Sequence, residues 1–316
     1  MKRNIVMGID TSNYTTSLAL MYDHGELIAS LKRPLPVKTG EHGLRQSDAV
    51  FAHIKNIPDI MTEAKQYLSA SAPVAVGVST RPRNIDGSYM PCFLTGVATA
   101  EAISASLNVP LYKFSHQCGH IMAAIYSSGA THLLGKEFAA FHVSGGTTEM
   151  LRVKFSGTEF SAELVGGTAD LNAGQVIDRV GTYLGLPFPS GKYLEELAKT
   201  NTKKIPSKKP KLSDMKINLS GLENMAVKLY EETGDKALTS AFVLDYVEKG
   251  LSSLAEAYIQ KFGDTEFLFA GGVMSNSIIR EKLKLKFNAH FAEPCFSADN
   301  AVGIAELARI NHAKNI

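Results

Sequence analysis

The sequence predicts a two-lobed α/β protein with a duplicated plan. Three observations carry this: its length, a hairpin pattern that occurs twice, and strand and helix patterns that alternate around the two copies. At 316 residues the chain exceeds one ordinary core and suits two domains of roughly 100–200 residues each. Apolar β-formers at residues 5–10 and 14–21 flank the turn-formers Thr11, Ser12 and Asn13, which reads as strand, tight turn, strand. Residues 138–144 and 148–153 repeat that plan around Gly145, Gly146 and Thr147, and each hairpin carries a Thr-Thr pair, Thr15-Thr16 and Thr147-Thr148. Duplication of one lobe is the economical explanation.

Between the hairpins, residues 48–68 and 95–107 have helical spacing and residues 74–80 read as a buried strand. Residues 110–114 are extended, and a helix is expected to start at His116. Beyond the second hairpin, residues 174–184 and 192–199 look helical, split by the Pro- and Gly-containing segment 185–191. Residues 201–216 are polar and rich in lysine (Lys203, Lys204, Lys208, Lys209, Lys211, Lys216), hence an exposed loop, either plain solvated surface or an RNA contact. A helix over 236–262, a strand over 267–270, a Gly-Gly turn, a helix from Ser277 and a last helix from near Asp299 complete the pattern.

Composition bounds the function. With 45% hydrophobic and 20% charged residues and a net charge of +2, the chain shows no global bias toward nucleic acid, so an RNA contact would be a local patch. The start of the sequence shows no signal-peptide pattern, and no stretch reaches the roughly 18 apolar residues of a membrane span. Cys92, Cys118 and Cys295 do not make a disulfide framework. A reducing, cytoplasmic location is expected, with no membrane partner.

Three constellations could carry chemistry. The hairpin tips offer small residues, backbone N–H groups and hydroxyls suited to phosphate oxygens, and Asp10 stands where it could orient a metal or a water. Residues 267–276 deliver an apolar strand into Gly271-Gly272 and a helix that Ser275 or Asn276 could cap, either an adenine site or a plain strand-to-helix turn. They match neither GxGxxG nor a P-loop. His116 and His120, four apart, share a helix face within reach of one metal ion, or serve structure only. The glutamate of a zinc-protease motif is missing, which disfavours peptidase activity. Asp299 could be a third ligand or simply a helix N-cap; a His₂Asp site with open positions suits Fe or Zn as a Lewis acid.

Taken in order, Gly8-Ile9-Asp10-Thr11-Ser12, His116-Gln117-Cys118-Gly119-His120, Val143-Ser144-Gly145-Gly146-Thr147, Asp178-Arg179-Val180 with the 185–191 segment, Ser220-Gly221-Leu222, Gly271-Gly272-Val273-Met274-Ser275-Asn276 and Ser297-Ala298-Asp299-Asn300 resemble the motif series of the TsaD (glycoprotease) family. The resemblance spans essentially the whole chain. It implies an actin-like ATPase (ASKHA, RNase H-like) fold with duplicated, mixed five-stranded sheets flanked by helices. The expected lobes are residues 1–115 and 116–297, with a terminal helix over 298–316 packing back on the first. It implies one divalent metal, Fe or Zn, on His116, His120 and Asp299, with Asp10, His116 and His120 in catalytic roles. It also implies ATP or threonylcarbamoyl-AMP contacted by Ser12, Val143, Ser144, Gly145, Gly146, Thr147, Asp178, Gly191, Gly271, Gly272 and Asn276. The activity it implies moves a threonylcarbamoyl group to the exocyclic amine of the adenine beside the anticodon of tRNA, with partner proteins of that pathway or a homodimer.

The chain also departs from the family pattern. Cys118 replaces the glutamate of HMEGH and Thr147 replaces the histidine of SGGH. Leu171 and Gln175 stand where acids are usual, and residues 81–87, with Arg81 and Arg83, replace a Gly-Pro-Gly loop. The Pro-Glu-x-Ala-Ser-Arg segment is unrecognisable at 46–51, although His53 remains. Three readings stand beside one another: the tRNA transferase, a paralogue transferring a carbamoyl-type group to another acceptor, and a non-catalytic nucleotide-binding scaffold. If the metal is catalytic, His116→Ala is expected to abolish transfer without changing the melting temperature of metal-free protein.

Overall fold

The computed structural model describes residues 4–12, 14–36, 44–69 and 71–315; Asn13 of the first turn lies outside the described residues. The chain forms two compact units. One comprises residues 1–135, 155–161 and 295–316, the other residues 136–154 and 162–294.

The first unit is built on β1 (Ile5–Asp10), β2 (Thr15–Tyr22), β3 (Leu27–Pro34), β4 (Pro73–Arg81) and β5 (Leu111–Ser115). Their order is β3-β2-β1-β4-β5, antiparallel through β1, β2 and β3 and parallel from β1 to β4 and β5. One face of this sheet, with Ile5, Met7, Ile9, Val76 and Val78, packs on Ile60 and Ala64 of α1 (Gln46–Leu68) and Ala100 of α2 (Phe93–Leu107). Each large side chain so buried contributes about 1.5–3 kcal/mol. The other face receives α10 (Val302–Lys314), which follows the single-turn α9 (Pro294–Ser297) and lies almost on the strand backbone. A Cβ at Gly8 would come within 2.6 Å of Ala305 N, and one at Gly77 within 2.7 Å of Ala308 Cβ.

The helix α3 (His116–Ser128) packs against α10, and its run Ile121–Ile125 is buried throughout. For that reason the first unit ends after Gly135, not after residue 115 as the sequence leads one to expect.

The second unit contains β6 (Glu137–Val143), β7 (Thr148–Phe155) and β8 (Phe160–Thr168) apart from their residues 155 and 160–161, which belong to the first unit, then α4 (Ala173–Tyr183), α5 (Gly191–Lys199), β9 (Leu212–Ser213), β10 (Lys216–Ile217), α6 (Ser220–Thr233), α7 (Lys236–Phe262), β11 (Phe267–Ala270), α8 (Ser277–Lys286) and β12 (Ala289–Phe291). Its sheet runs β12-β11-β6-β7-β8-β10-β9. Five of these strands, β8-β7-β6-β11-β12, repeat the order of the first sheet, with β6 antiparallel to β7 and parallel to β11. The expected five strands are thus exceeded here. The end of the lysine-rich segment forms the two-residue hairpin β9-β10 and extends the sheet beyond β8. Its turn residues Asp214 and Met215 have φ of 47° and 59°, the left-handed pair such a tight hairpin loop requires.

Phe141, Phe269 and Phe291 stack across β6, β11 and β12 with centroids 4.8 and 4.9 Å apart. The helix α7 is buried on nearly every side, and its Asp245 and Glu248 are neutralised by Lys282 at 2.6 Å and Lys286 at 2.7 Å from α8.

The helix α6 is held by Asp170, whose carboxylate accepts the N–H of Leu219 at 2.7 Å and of Ser220 at 3.1 Å, and the Ser220 hydroxyl at 2.6 Å. Partial burial alone would raise the Asp170 pKa, but these donors and the Leu171 N–H outweigh it and hold the carboxyl well below the usual carboxylate range. A depressed carboxyl stabilises the fold above its unfolded pKa of 3.8 and loses that contribution as pH falls. Urea unfolding at pH 5 and pH 3 should therefore show a steeper acid loss in wild type than in Asp170→Asn. Among the described residues no helix is long and apolar enough to cross a membrane.

Candidate metal centre and nucleotide-site motifs

Three side chains converge in the first unit. His116 and His120, one turn apart on α3, face Asp299 from the segment just before α10. The Nε2 atoms of the two imidazoles are 2.9 Å apart. Asp299 Oδ1 lies 3.3 Å from His120 Nε2 and 3.6 Å from His116 Nε2. With metal–ligand bonds of about 2.0–2.2 Å, neighbouring ligands of one ion stand about 3.0–3.4 Å apart in octahedral or tetrahedral geometry. The triangle fits one face of either polyhedron, and two imidazoles with one carboxylate suit Fe or Zn.

Asp10 completes the centre from behind. It ends β1, is fully buried, and its Oδ2 accepts the Nδ1–H of His116 at 2.7 Å. This fixes the tautomer that leaves Nε2 directed at His120 and Asp299, the carboxylate–histidine support that metal-ligating imidazoles need. The sequence places Asp10 as a residue that orients a metal or a water; the fold places it behind the histidine.

Burial would push the Asp10 carboxyl up, but the His116 charge and the hydrogen bonds from His116 and Ser12 win and hold it below its ordinary value. Burial would likewise lower His116, yet Asp10 and Asp299 push it up to about 10. Asp299 is also held low, because the two histidines outweigh burial. An ion entering the triangle would therefore displace a proton.

Asp299 is placed by its neighbours. Asn300 Nδ2 donates to Phe296 O at 3.0 Å and Ala298 O at 2.8 Å, while Asn300 Oδ1 accepts the Val302 N–H at 3.0 Å. Lys32 on β3 holds the Cys295 carbonyl at 2.8 Å. Of the two readings of Asp299, the N-cap is not realised: the last helix starts at Val302, Asn300 receives its first N–H, and the Asp299 carboxylate faces the histidines. Asn300 is marked by the Ser297–Asn300 motif, whereas Lys32 carries no sequence signal beyond its type.

The helix crossing sets the triangle. A Cβ at Gly303 of α10 would land on the Gly119 carbonyl oxygen, so α10 and α3 touch backbone to backbone between the segments that bear Asp299 and the histidines.

Cys118 lies on the same helix but points elsewhere. Its Sγ is 3.3 Å from Asn84 Nδ2 and 3.4 Å from Phe160 O, and Asn84 Nδ2 also donates to Glu159 Oε2 at 3.1 Å. Arg81 binds Asn84 Oδ1 at 2.6 Å. The unusual residues at 81–84 and 118 thus form one network, in which Glu159 supplies an acid from the turn between β7 and β8.

The nucleotide-site candidates other than Ser12 lie in the second unit. At the end of β6, the Ser144 hydroxyl accepts the N–H groups of Gly146 at 3.3 Å and Thr147 at 3.1 Å. The two amides converge on one oxygen, as they would on an anion's. Val143 and Gly271 are in contact at the carboxyl ends of the parallel β6 and β11; Gly271 has φ of 100°, and a Cβ there would strike the Val143 carbonyl. Asn276 caps α8 through the Ile279 N–H at 3.1 Å, and Asp178 accepts the Ser190 N–H at 2.7 Å, just before Gly191 opens α5. The fold thus brings Val143–Thr147 beside Gly271. Ser12 belongs to the first unit, where its N–H donates to Asp10 Oδ1 at 2.8 Å. Leu171, at a position where the family carries an acid, packs against the second unit's apolar core.

A doubled sheet of this order, its strands flanked by helices, defines a protein of the actin-like ATPase fold. Component A of the (R)-2-hydroxyglutaryl-CoA dehydratase of Acidaminococcus fermentans shares that fold with a TM-score of 0.58 at 16% identity, over 98% of this chain and 99% of that one. The family model for TsaD, tRNA N6-adenosine threonylcarbamoyltransferase, matches residues 38–306. The chain belongs to the TsaD family, transferases of tRNA modification. The tRNA N6-adenosine threonylcarbamoyltransferase of Mycoplasmopsis synoviae is 27% identical over 98% of this chain and 99% of its own length. That of Nautilia profundicola is 30% identical over 96% and 92%.

Proposed function

We propose that this chain transfers a threonylcarbamoyl group from threonylcarbamoyl-AMP to the exocyclic amine of the adenine next to the tRNA anticodon. The observation that carries this reading is the convergence of His116, His120 and Asp299 with Asp10 behind them, within the family just described. In the transfer the adenine amine attacks the acyl carbonyl carbon, a C–N bond forms, the bond from that carbon to the phosphate oxygen breaks, and the amine loses a proton.

A divalent ion, Fe or Zn, held by His116, His120 and Asp299 would act as a Lewis acid toward the acyl carbonyl. Asp10 keeps the His116 ring oriented. In the second unit, the amides of Gly146 and Thr147, which converge on the Ser144 hydroxyl, would suit a phosphate oxygen, and Gly271, Gly272 and Asn276 would suit the adenosine side of the adenylate. The proposed setting is cytoplasmic, with proteins of the threonylcarbamoyl pathway or a second copy of the chain as partners.

The test supplies labelled threonine, ATP and bicarbonate with an adenylate-forming enzyme and pathway partners, and follows label into unmodified tRNA. Label on the anticodon-loop adenine only when this chain is present supports the reading; tight adenylate binding without label points to another acceptor.

The lysine segment gives a separate expectation. Lys208, Lys209 and Lys211 are exposed. If they meet tRNA phosphates, binding falls steeply with salt, and replacing all three by alanine reduces the slope of log K against log salt by about 2–3. Filter binding between 50 and 200 mM salt reads this; an unchanged slope returns the segment to solvated surface.

A further inference from the structure

Behind the Asp10–His116 pair stands a histidine that no step above uses. His53, on α1, is completely buried, and its Nδ1 lies 2.8 Å from Thr16 Oγ1. The same hydroxyl accepts the Nδ2 amide of Asn56 at 3.1 Å. A hydroxyl that accepts from the amide has its own hydrogen to give, and Nδ1 is the acceptor beside it. The ring is then the tautomer that carries its proton on Nε2.

That Nε2–H faces the Ser12 main chain without closing a hydrogen bond to any of the described residues. A buried donor left so costs about 1–3 kcal/mol, and a leucine at this place would avoid the cost. Ser12 is in turn tied at its own N–H to Asp10 Oδ1, 2.8 Å away. Residue 12 is thus set between the imidazole and the carboxylate that orients His116.

We propose that His53 is a positioning residue for the metal centre: its buried Nε2–H dipole, facing the Ser12 main chain without a closed hydrogen bond, attracts that segment and so favours the placement in which the Ser12 N–H stays on Asp10, and Asp10 keeps His116 Nε2 turned toward His120 and Asp299. The inference rests on the reading of those three residues as a metal centre. Burial holds the His53 ring below the ordinary histidine pKa, against the opposing pull of Ser12, Asp10 and Asp299, so the ring stays a neutral donor at physiological pH.

The test uses the full chain and cobalt(II) as the probe ion, with affinity and visible absorption read in wild type, His53→Leu and His53→Gln. Loss of outer support for a ligating histidine lowers metal affinity about 10–100-fold. His53→Leu should therefore bind cobalt at least about tenfold more weakly, with an altered spectrum. His53→Gln, whose amide N–H reaches toward the place of Nε2, should recover most of the affinity. Equal affinity and spectrum in His53→Leu and wild type would overturn the proposal, as would equal weakness in the leucine and glutamine variants. If His53→Leu does not fold, Thr16→Val decides, since it releases the tautomer while keeping the ring; cobalt binding unchanged in that variant overturns the proposal. Failure of wild type to bind cobalt would overturn the metal-centre reading and the inference with it.

Discussion

Replacing Gly303 with alanine is expected to abolish metal binding and to destabilise the first unit by about 3 kcal/mol or more. The added Cβ would land on the Gly119 carbonyl oxygen and 2.7 Å from Ala123 N. Both are main-chain atoms of α3, so no change of rotamer relieves the overlap and one helix must move. The helix α3 carries His116 and His120, and the chain leading into α10 carries Asp299; a shift of about 1 Å at the crossing spoils a ligand triangle whose bonds tolerate about 0.2 Å. Gly119→Ala is the control. Its Cβ would meet Ile304 Cδ1 at 2.9 Å, the far end of a side chain that can turn away, so the loss should be smaller. Denaturant unfolding together with cobalt titration of both variants checks the pair.

Removing the two histidines should have different consequences for stability and the same consequence for activity. His120→Ala deletes one ligand and leaves the Asp10–His116 pair standing. His116→Ala deletes a ligand and also strips Asp10, a fully buried carboxylate, of its charged partner. Breaking a buried pair in this way costs about 3–5 kcal/mol. The expectation that His116→Ala leaves the melting temperature of metal-free protein unchanged is therefore revised: it should fall clearly below that of His120→Ala, while both variants lose transfer. Thermal melts in chelator, beside single-turnover transfer, separate the two effects.

How much of this was legible beforehand depends on distance along the chain. Both hairpins were readable because turn-formers separate short apolar runs, and the His116–His120 pair because four residues make one helical turn. The Asp10–His116 bond joins residues 106 positions apart and leaves no local mark; the sequence marks Asp10 as an acid that could orient a metal or a water, but not which side chain it holds. The unit boundary after Gly135 is set by the apolar run Ile121–Ile125 of α3, whose burial against α10 joins residues far apart in the sequence and so leaves no local signal. Strands β9 and β10, of two residues each, are too short for any periodicity, and their turn uses Asp214 and Met215 where glycine is the usual signal. The helix α6 was within reach, since Leu222, Met225, Ala226 and Leu229 recur at helical spacing. Arg81 and Asn84 lie far from Cys118 and from Glu159 in the sequence, and only the fold shows that each of these side chains touches another member of the set.

The most direct test of the account is single-turnover transfer of labelled threonylcarbamoyl from its adenylate to unmodified tRNA. It is measured for chelator-treated wild type, the same protein after addition of one equivalent of Zn or Fe(II), and His120→Ala with and without that ion. No transfer is expected from the chelated enzyme, with recovery on adding metal and no recovery in His120→Ala. Full transfer by metal-free wild type, or by His120→Ala, would contradict the metal-centre reading.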